Sequence, residues 1–164
     1  MQKRNTQILL LASALCCSFF TKAQTPDSTR YAGFPNPAHV QIGLAVNDIL
    51  WRDAPATLPA GTRIAVLEGD PKKAAMFTMR VQLPANAVIR RHTHPREERV
   101  TVISGGLYLG FGAQPEHQKD RLYSAGSFYL NPPGLPHLLS TGDEPAIIQI
   151  TGMGPWEIQY DEQK

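Results

Sequence analysis

Cysteine is almost absent from this 164-residue chain. The only two, Cys16 and Cys17, both lie within the first 23 residues. If that segment is removed, the mature protein has no thiol and no disulfide, which excludes thiolate chemistry and any need for an oxidising compartment.

The sequence also lacks an apolar run long enough to span a membrane. The run over 8–20 has 13 residues, whereas a spanning helix needs about 20. It follows Lys3 and Arg4 and precedes Thr21-Lys22-Ala23, the pattern of a signal peptide with its cleavage site. We therefore predict a signal peptide over 1–23, a periplasmic or secreted protein, and no membrane contact in the mature form. An uncleaved anchor and a lipidated cysteine are the less favoured alternatives.

Neither sign of charge is in excess. The 16 basic and 14 acidic residues give +2 overall, and without Lys3, Arg4 and Lys22 the mature chain has 13 basic and 14 acidic residues. The short basic clusters are typical of solvated surface, so we predict no nucleic-acid partner.

Short strand-like runs fill most of the remaining sequence. Residues 24–45 are rich in Pro, Ser, Thr and Gly, which predicts an extended lead-in, and the domain itself is predicted over 46–164. No long helical pattern occurs, although 46–53 could form a turn of helix. Nine runs with β-strand character are separated by Gly/Pro/Asn turn signals: 63–67, 76–83, 87–91, 99–103, 107–111, 127–130, 137–139, 146–151 and 157–160. Such a pattern predicts an all-β sandwich or barrel, of which a double-sheet jelly roll is one form.

Alternation within these strands predicts which residues face the interior. The inner face is predicted to hold Phe77, Met79, Val81, Leu83, Val100 and Val102. Thr78, Arg80 and Gln82 have the opposite parity and are predicted to face solvent.

The stretch RRHTHPREERVTVISGG, residues 90–106, combines two histidines with two glutamates. On an extended chain His92 and His94 leave the same face, with origins roughly 6.6 Å apart. If the chain stays extended through Pro95, Glu98 shares that face, and Glu97 points outward.

A further histidine is needed to complete such a site. His137 follows the tight turn Pro132-Pro133-Gly134-Leu135-Pro136 and begins an apolar stretch, so it can be held facing inward. His39 and His117 lie in polar segments and are predicted to be exposed. Three imidazoles and a carboxylate suit one divalent transition metal, Fe, Mn, Zn, Ni or Cu. The alternative is that the histidines only satisfy core hydrogen bonds, but burying all four groups without an ion would be costly.

The spacing of these residues resembles the two motifs of the cupin superfamily. The first reads His92-x-His94-x3-Glu98-x6-Gly105, the second reads Gly126-x5-Pro132-x-Gly134-x2-His137, and 20 residues separate them. The resemblance implies a double-stranded β-helix, or jelly-roll, barrel in which His92, His94, Glu98 and His137 bind the metal. Segments such as LPAGTRIAVLEGDP also look like those of small exported bacterial cupins.

Two positions depart from the family pattern. Asn86 stands where the first motif usually opens with glycine, and Thr141 stands where the second often ends with asparagine. Asparagine tolerates positive φ better than most residues, so the turn at Asn86 can survive.

The sequence supports two classes of function. The leading hypothesis is a metal-dependent enzyme, a dioxygenase or isomerase, acting on a small molecule that chelates the ion through two oxygens. The alternative is a non-catalytic module in which the ion holds a ligand or staples the barrel. A homodimer paired through edge strands is compatible with either. Candidate pocket residues, for which packing is the more common role, are Met79, Arg90, Tyr108, Phe128, Tyr129 and Trp156.

Overall fold

The computed structural model describes residues 42–112 and 122–161. The predicted signal peptide over 1–23, nearly all of the predicted lead-in, His39 and His117 lie outside these ranges. They remain predictions, as does the division of the chain at residue 46.

Strands make up nearly all of the regular structure in the described residues. A short 3-10 helix, Val46–Asp48, comes first, within the segment predicted to form a helical turn. The strands that follow are β1 Arg52–Asp53, β2 Arg63–Glu68, β3 Met76–Leu83, β4 Val88–Thr93, β5 Glu98–Ser104, β6 Gly106–Phe111, β7 Leu122–Ser124, β8 Phe128–Asn131, β9 His137–Thr141, β10 Ala146–Met153 and β11 Gln159–Tyr160. Nothing helical within the described ranges is long and apolar enough to cross a membrane.

All nine predicted strands are confirmed, each within two residues at either end. Strands β1 and β7 were not predicted from the sequence. They contain two and three residues, too few to show a period of two.

The strands form two antiparallel sheets. The first sheet has the order β1-β2-β3-β10-β5-β8 and the second the order β11-β4-β9-β6-β7. Consecutive strands β4 and β5 lie in different sheets, as do β9 and β10, so the chain crosses repeatedly between the two layers. This is the predicted all-β, double-sheet jelly roll.

The predicted inner face is confirmed. The alternating apolar residues of β3 and β5, from Phe77 to Leu83 and at Val100 and Val102, are all buried. On the opposite face of β3 the residues are less exposed than predicted. They are half-buried: Thr78, Arg80 and Gln82. Since β2 and β10 flank β3, cross-strand bonds cover that face, such as the one from Arg80 Nε to Gln149 Oε1 at 3.1 Å.

The two departures from the family pattern lie side by side in the structure. Asn86 has φ 57°, so it adopts the left-handed conformation expected of it. The Thr141 hydroxyl accepts the Ala87 N–H at 2.8 Å and donates to the Pro84 carbonyl at 2.7 Å. Thr141 therefore ties the end of β9 to the turn before β4, and these two strands carry His137 and His92.

Candidate metal centre

The four predicted ligands meet between the two sheets. His92 lies on β4, His94 directly follows that strand, and His137 begins β9, all in or beside the second sheet. Glu98 begins β5 in the first sheet. Their exposed fractions are 2%, 2%, 1% and 4% in that order, so all four side chains are buried. His92 pairs directly with His137 across β4 and β9.

The path between His94 and Glu98 differs from the expected one. The chain was expected to stay extended through Pro95, but it bends at Pro95 and Arg96 as it passes from the second sheet to the first. A parity count cannot be carried across a bend, so that part of the argument was wrong.

The inward position of Glu98 is confirmed nevertheless. Within β5 it alternates regularly with the buried residues Val100 and Val102. Glu97 points outward as expected, with 40% of its side chain exposed, and it pairs with Arg99.

Backbone carbonyls fix the tautomer of each histidine. The Nδ1 atoms lie 2.6 Å from the Arg90 carbonyl for His92, 2.7 Å from the Glu157 carbonyl for His94 and 3.2 Å from the Leu135 carbonyl for His137. A carbonyl oxygen can only accept, so each Nδ1 carries the proton and each Nε2 presents a lone pair.

These lone pairs converge without partners. One ring nitrogen from each of the three histidines lies within 4.8 Å of the other two. The Nε2 atoms of His94 and His137 are buried and have no hydrogen-bond partner. Buried unpaired acceptors are costly. A metal ion would satisfy both of these atoms, so the histidine cluster is compatible with one.

Glu98 adds a negative charge beside this cluster. Its Oε2 lies 3.4 Å from His94 Nε2 and 3.7 Å from His137 Nε2. The same oxygen accepts a hydrogen bond from Asn131 Nδ2 at 2.7 Å. A carboxylate oxygen beside two imidazole nitrogens is compatible with a cation between them.

The pKa directions give the protonation states that a metal needs. Burial, then the proximity of His137, lowers the pKa of His92 to about 4. Burial also lowers the pKa of His137, against the opposing effect of Glu98. Burial would raise the pKa of Glu98, but His94, Asn131 and His137 together hold that pKa below its usual value. At neutral pH the site thus offers neutral imidazoles at His92 and His137 and an ionised carboxylate at Glu98.

The structure separates the six candidate pocket residues into three groups. Met79 and Trp156 line the cavity that contains the site. Tyr129 is buried, and burial, followed by the charge of Glu98, raises its pKa well above the usual value, so it stays protonated. The other three, Arg90, Tyr108 and Phe128, are not part of the cavity wall; Arg90 lies over the Tyr160 ring and Phe128 is exposed on β8.

Asn131 was missed by the sequence analysis. The predicted strand ended at residue 130, one residue short, although Tyr129 and Asn131 share the inward parity of β8. Asn131 pairs directly with Glu98 across β8 and β5. The carbonyls that orient the histidines were also missed, because backbone acceptors leave no signal in the side-chain pattern.

A cavity of about 300 Å³ opens onto the cluster. His92, His94 and Glu98 form part of its wall, whereas His137 does not. Trp156 also contributes to the wall and stacks on the His94 ring, with ring centroids 4.7 Å apart. A small molecule in the cavity would therefore be in reach of three of the four candidate ligands.

Comparison with known families agrees with this geometry. The model of the ChrR cupin-like domain matches residues 39–157. The chain belongs to the ChrR cupin-like family. The predicted membership of the cupin superfamily is thereby confirmed, and the match includes all four predicted ligands of this cupin. Comparison with curated proteins gives no significant match.

Several solved structures share the fold of this cupin. The polyketide cyclase RemF from Streptomyces resistomycificus is similar with a TM-score of 0.64 and 16% identity, over 76% of this chain and 88% of the cyclase. A cupin-superfamily sugar phosphate isomerase from Silicibacter pomeroyi has a TM-score of 0.56 and 22% identity, over 74% and 82% of the two chains. An RmlC-like cupin from Shewanella frigidimarina has a TM-score of 0.54 and 14% identity, over 71% and 91%. The cyclase and the isomerase are named for different reactions, so the fold does not select a chemistry.

Proposed function

We propose that this cupin binds one divalent transition metal through His92, His94, His137 and Glu98 and uses it as an enzyme. The substrate would be a small molecule with two adjacent oxygen atoms, and the reaction a dioxygenation or an isomerisation. The observation that carries the proposal is the position of the cavity, which opens directly onto His92, His94 and Glu98. A site of purely structural value would not need this access.

The donor set supports a transition metal. Imidazole nitrogens and a carboxylate suit Fe, Mn, Zn, Ni and Cu, and four protein ligands leave positions open on an ion that accepts six. When bound, such a metal supplies Lewis acidity, which polarises an oxygen ligand and lowers the pKa of a hydroxyl.

The side chains around the site have defined tasks in this proposal. The backbone carbonyls of Arg90, Glu157 and Leu135 hold the three imidazoles in the metal-binding tautomer. Asn131 orients the Glu98 carboxylate. Glu98 lines the cavity and stays ionised, so it is placed to take a proton from a bound substrate.

One observation favours the alternative of a metal that staples the fold. His137 is 1% exposed and is not part of the cavity wall, and the four side chains come from both sheets. A metal joining them would add its binding free energy to the stability of the barrel. The two functions are compatible, but only the first predicts turnover.

The test begins with elemental analysis of protein purified from its native compartment. We expect a stoichiometric transition metal, lost in His94→Ala, and metal-dependent turnover in a screen of oxygen-chelating substrates. Stoichiometric metal with a large chelator-induced drop in Tm, but no turnover of any substrate, would support the staple instead. Absence of the metal, with unchanged stability of His94→Ala, would refute both.

A further inference from the structure

The deep walls of the metal-site cavity are apolar. Aliphatic side chains of β3, β4, β9 and β10 form them, among them Ile89, Leu139, Ile148 and Ile150, each 4% exposed or less. Trp156 adds an aromatic surface next to His94. A ligand that reaches the metal therefore has hydrocarbon against most of its remaining surface.

Polar groups are scarce in the described wall once the metal-site side chains are set aside. They are Thr57, Lys72 and Glu157, which are all exposed rather than deep, and the indole N–H of Trp156, which is buried without a hydrogen-bond partner. Glu157 already accepts a hydrogen bond from Gln159, and the Thr57 carbonyl accepts one from Tyr160. Among the described side chains, the deep part of the cavity thus offers hydrogen bonds only at the metal site and at the single N–H of Trp156.

This distribution discriminates between classes of ligand. A sugar would lose water from several hydroxyls and find no partners for them, at a cost of about 1–3 kcal/mol for each unpaired group. A phosphate group would find a single cation in the described wall, the exposed Lys72, rather than a clamp of several. An apolar body instead gains free energy with every methylene that it buries.

The cavity has room for a small ring compound. Its volume of about 300 Å³ corresponds to about ten water molecules at roughly 30 Å³ each. One ring with a short alkyl substituent fits within this space.

We propose that the ligand of this cavity is a small, predominantly apolar molecule with two adjacent oxygens at one end, of the alkylcatechol or enol-ketone class. The two oxygens of this ligand rest on the proposed function, because they require the metal. Its hydrocarbon part rests on the cavity walls alone. The oxygens face His92, His94 and Glu98, and the hydrocarbon packs against Trp156 and the aliphatic wall.

The experiment is calorimetric titration of the zinc-loaded protein with catechol, 4-methylcatechol, 4-ethylcatechol and 4-propylcatechol. Zinc is chosen because it has no redox chemistry. At about 0.8 kcal/mol per buried CH₂, we expect Kd to fall about fourfold with each added carbon. Glucose 6-phosphate is the polar comparison and should bind more weakly than 4-propylcatechol.

A matched pair of variants locates the effect. Leu58→Asn places a polar group of similar shape in the cavity wall and should remove most of the gain from the propyl group while zinc content stays unchanged. Leu50→Asn makes the same substitution at a residue that is 78% exposed and not part of the wall, and should leave the series intact. A flat series, equal effects of the two variants, or tighter binding of glucose 6-phosphate would overturn the proposed ligand class.

Metal-free protein keeps the two proposals separable. Phenol and 4-propylphenol need no metal, and the apolar walls should still favour the propyl compound. If the chain takes up no zinc but this preference persists, the proposed metal enzyme fails and the apolar ligand class stands. If zinc binds and the preference is missing, the ligand class fails alone.

Discussion

Replacing the two adjacent glutamates one at a time tests the centre most directly. In Glu98→Gln the side chain keeps its shape and an oxygen that can accept the Asn131 amide, but the site loses its negative charge. In Glu97→Gln the same change occurs on a side chain that is 40% exposed and paired only with Arg99. The pair thus separates a buried charge at the site from an exposed charge one residue away.

The structure sets the size of the expected effect. Glu98 Oε2 is buried 3.4 Å and 3.7 Å from two imidazole nitrogens that have no other partner. Two unit charges 4 Å apart interact by about 4 kcal/mol at an effective dielectric constant of 20. Loss of an outer hydrogen-bond partner of a metal ligand already costs 10–100-fold in affinity. We therefore expect Glu98→Gln to weaken zinc binding by about 100-fold or more.

Glu97→Gln should leave zinc affinity within about twofold, since exposed ion pairs contribute only about 0–1 kcal/mol. The assay is competition with a chromophoric chelator of known zinc affinity, run in parallel with thermal unfolding of the metal-free proteins. Metal-free Glu98→Gln should be less stable than the unaltered chain at neutral pH, because the contacts that lower the pKa of Glu98 favour its ionised form in the folded state. Equal zinc affinity for Glu98→Gln and the unaltered chain would refute the reasoning, as would loss of zinc in Glu97→Gln.

Three further predictions concern residues that support the centre. Asn131→Ala removes the hydrogen bond to Glu98 Oε2 and should lower zinc affinity 10–100-fold in the same competition assay. Asn131→Asp should also lower zinc affinity, because a second carboxylate cannot donate that hydrogen bond. Thr141→Val removes the hydroxyl that bonds the Ala87 N–H and the Pro84 carbonyl. We expect urea denaturation to show a loss of about 1–3 kcal/mol in the free energy of unfolding. Thr78→Val is the control and should cost less, because the Thr78 hydroxyl bond is 3.3 Å long and only half-buried. Asn86→Ala places a residue with a Cβ but no polar side chain at φ 57° and should lower the free energy of unfolding by about 1–2 kcal/mol. Asn86→Gly should leave the free energy of unfolding nearly unchanged. Equal losses for the two variants would show that the positive φ is not what Asn86 is needed for.

Period-two alternation proved reliable within a strand and unreliable across a bend. It placed Phe77 and Val100 inside correctly, because successive side chains of one strand point to opposite faces. Counting from His94 to Glu98 across Pro95 had no such basis, since the chain changes sheets there. Glu98 is nevertheless inward, because it belongs to the alternation of β5, and the family spacing led to the same residue independently.

The parts of the site that sequence reasoning missed have a common physical cause. Asn131 reaches Glu98 through the pairing of β5 with β8, and strand pairing is not written in the spacing of either strand. The histidine orientations depend on carbonyls at Arg90, Leu135 and Glu157, whose side chains are irrelevant to the contact. Residue type predicts which groups can bind a metal, whereas the fold determines what holds them in place.

The groups that hold the ligands in place differ between the histidines and Glu98. Backbone carbonyls accept the Nδ1 protons of the three histidines, so the tautomers do not depend on a neighbouring side chain, whereas Glu98 is oriented by the side chain of Asn131. The metal centre can therefore stay constant while the cavity wall changes from one family member to another. Selectivity for a substrate would then be determined by wall residues such as Leu58 and Ile148. It follows that exchanging wall residues should change which molecule binds without changing zinc affinity, whereas exchanging Asn131 should do the reverse.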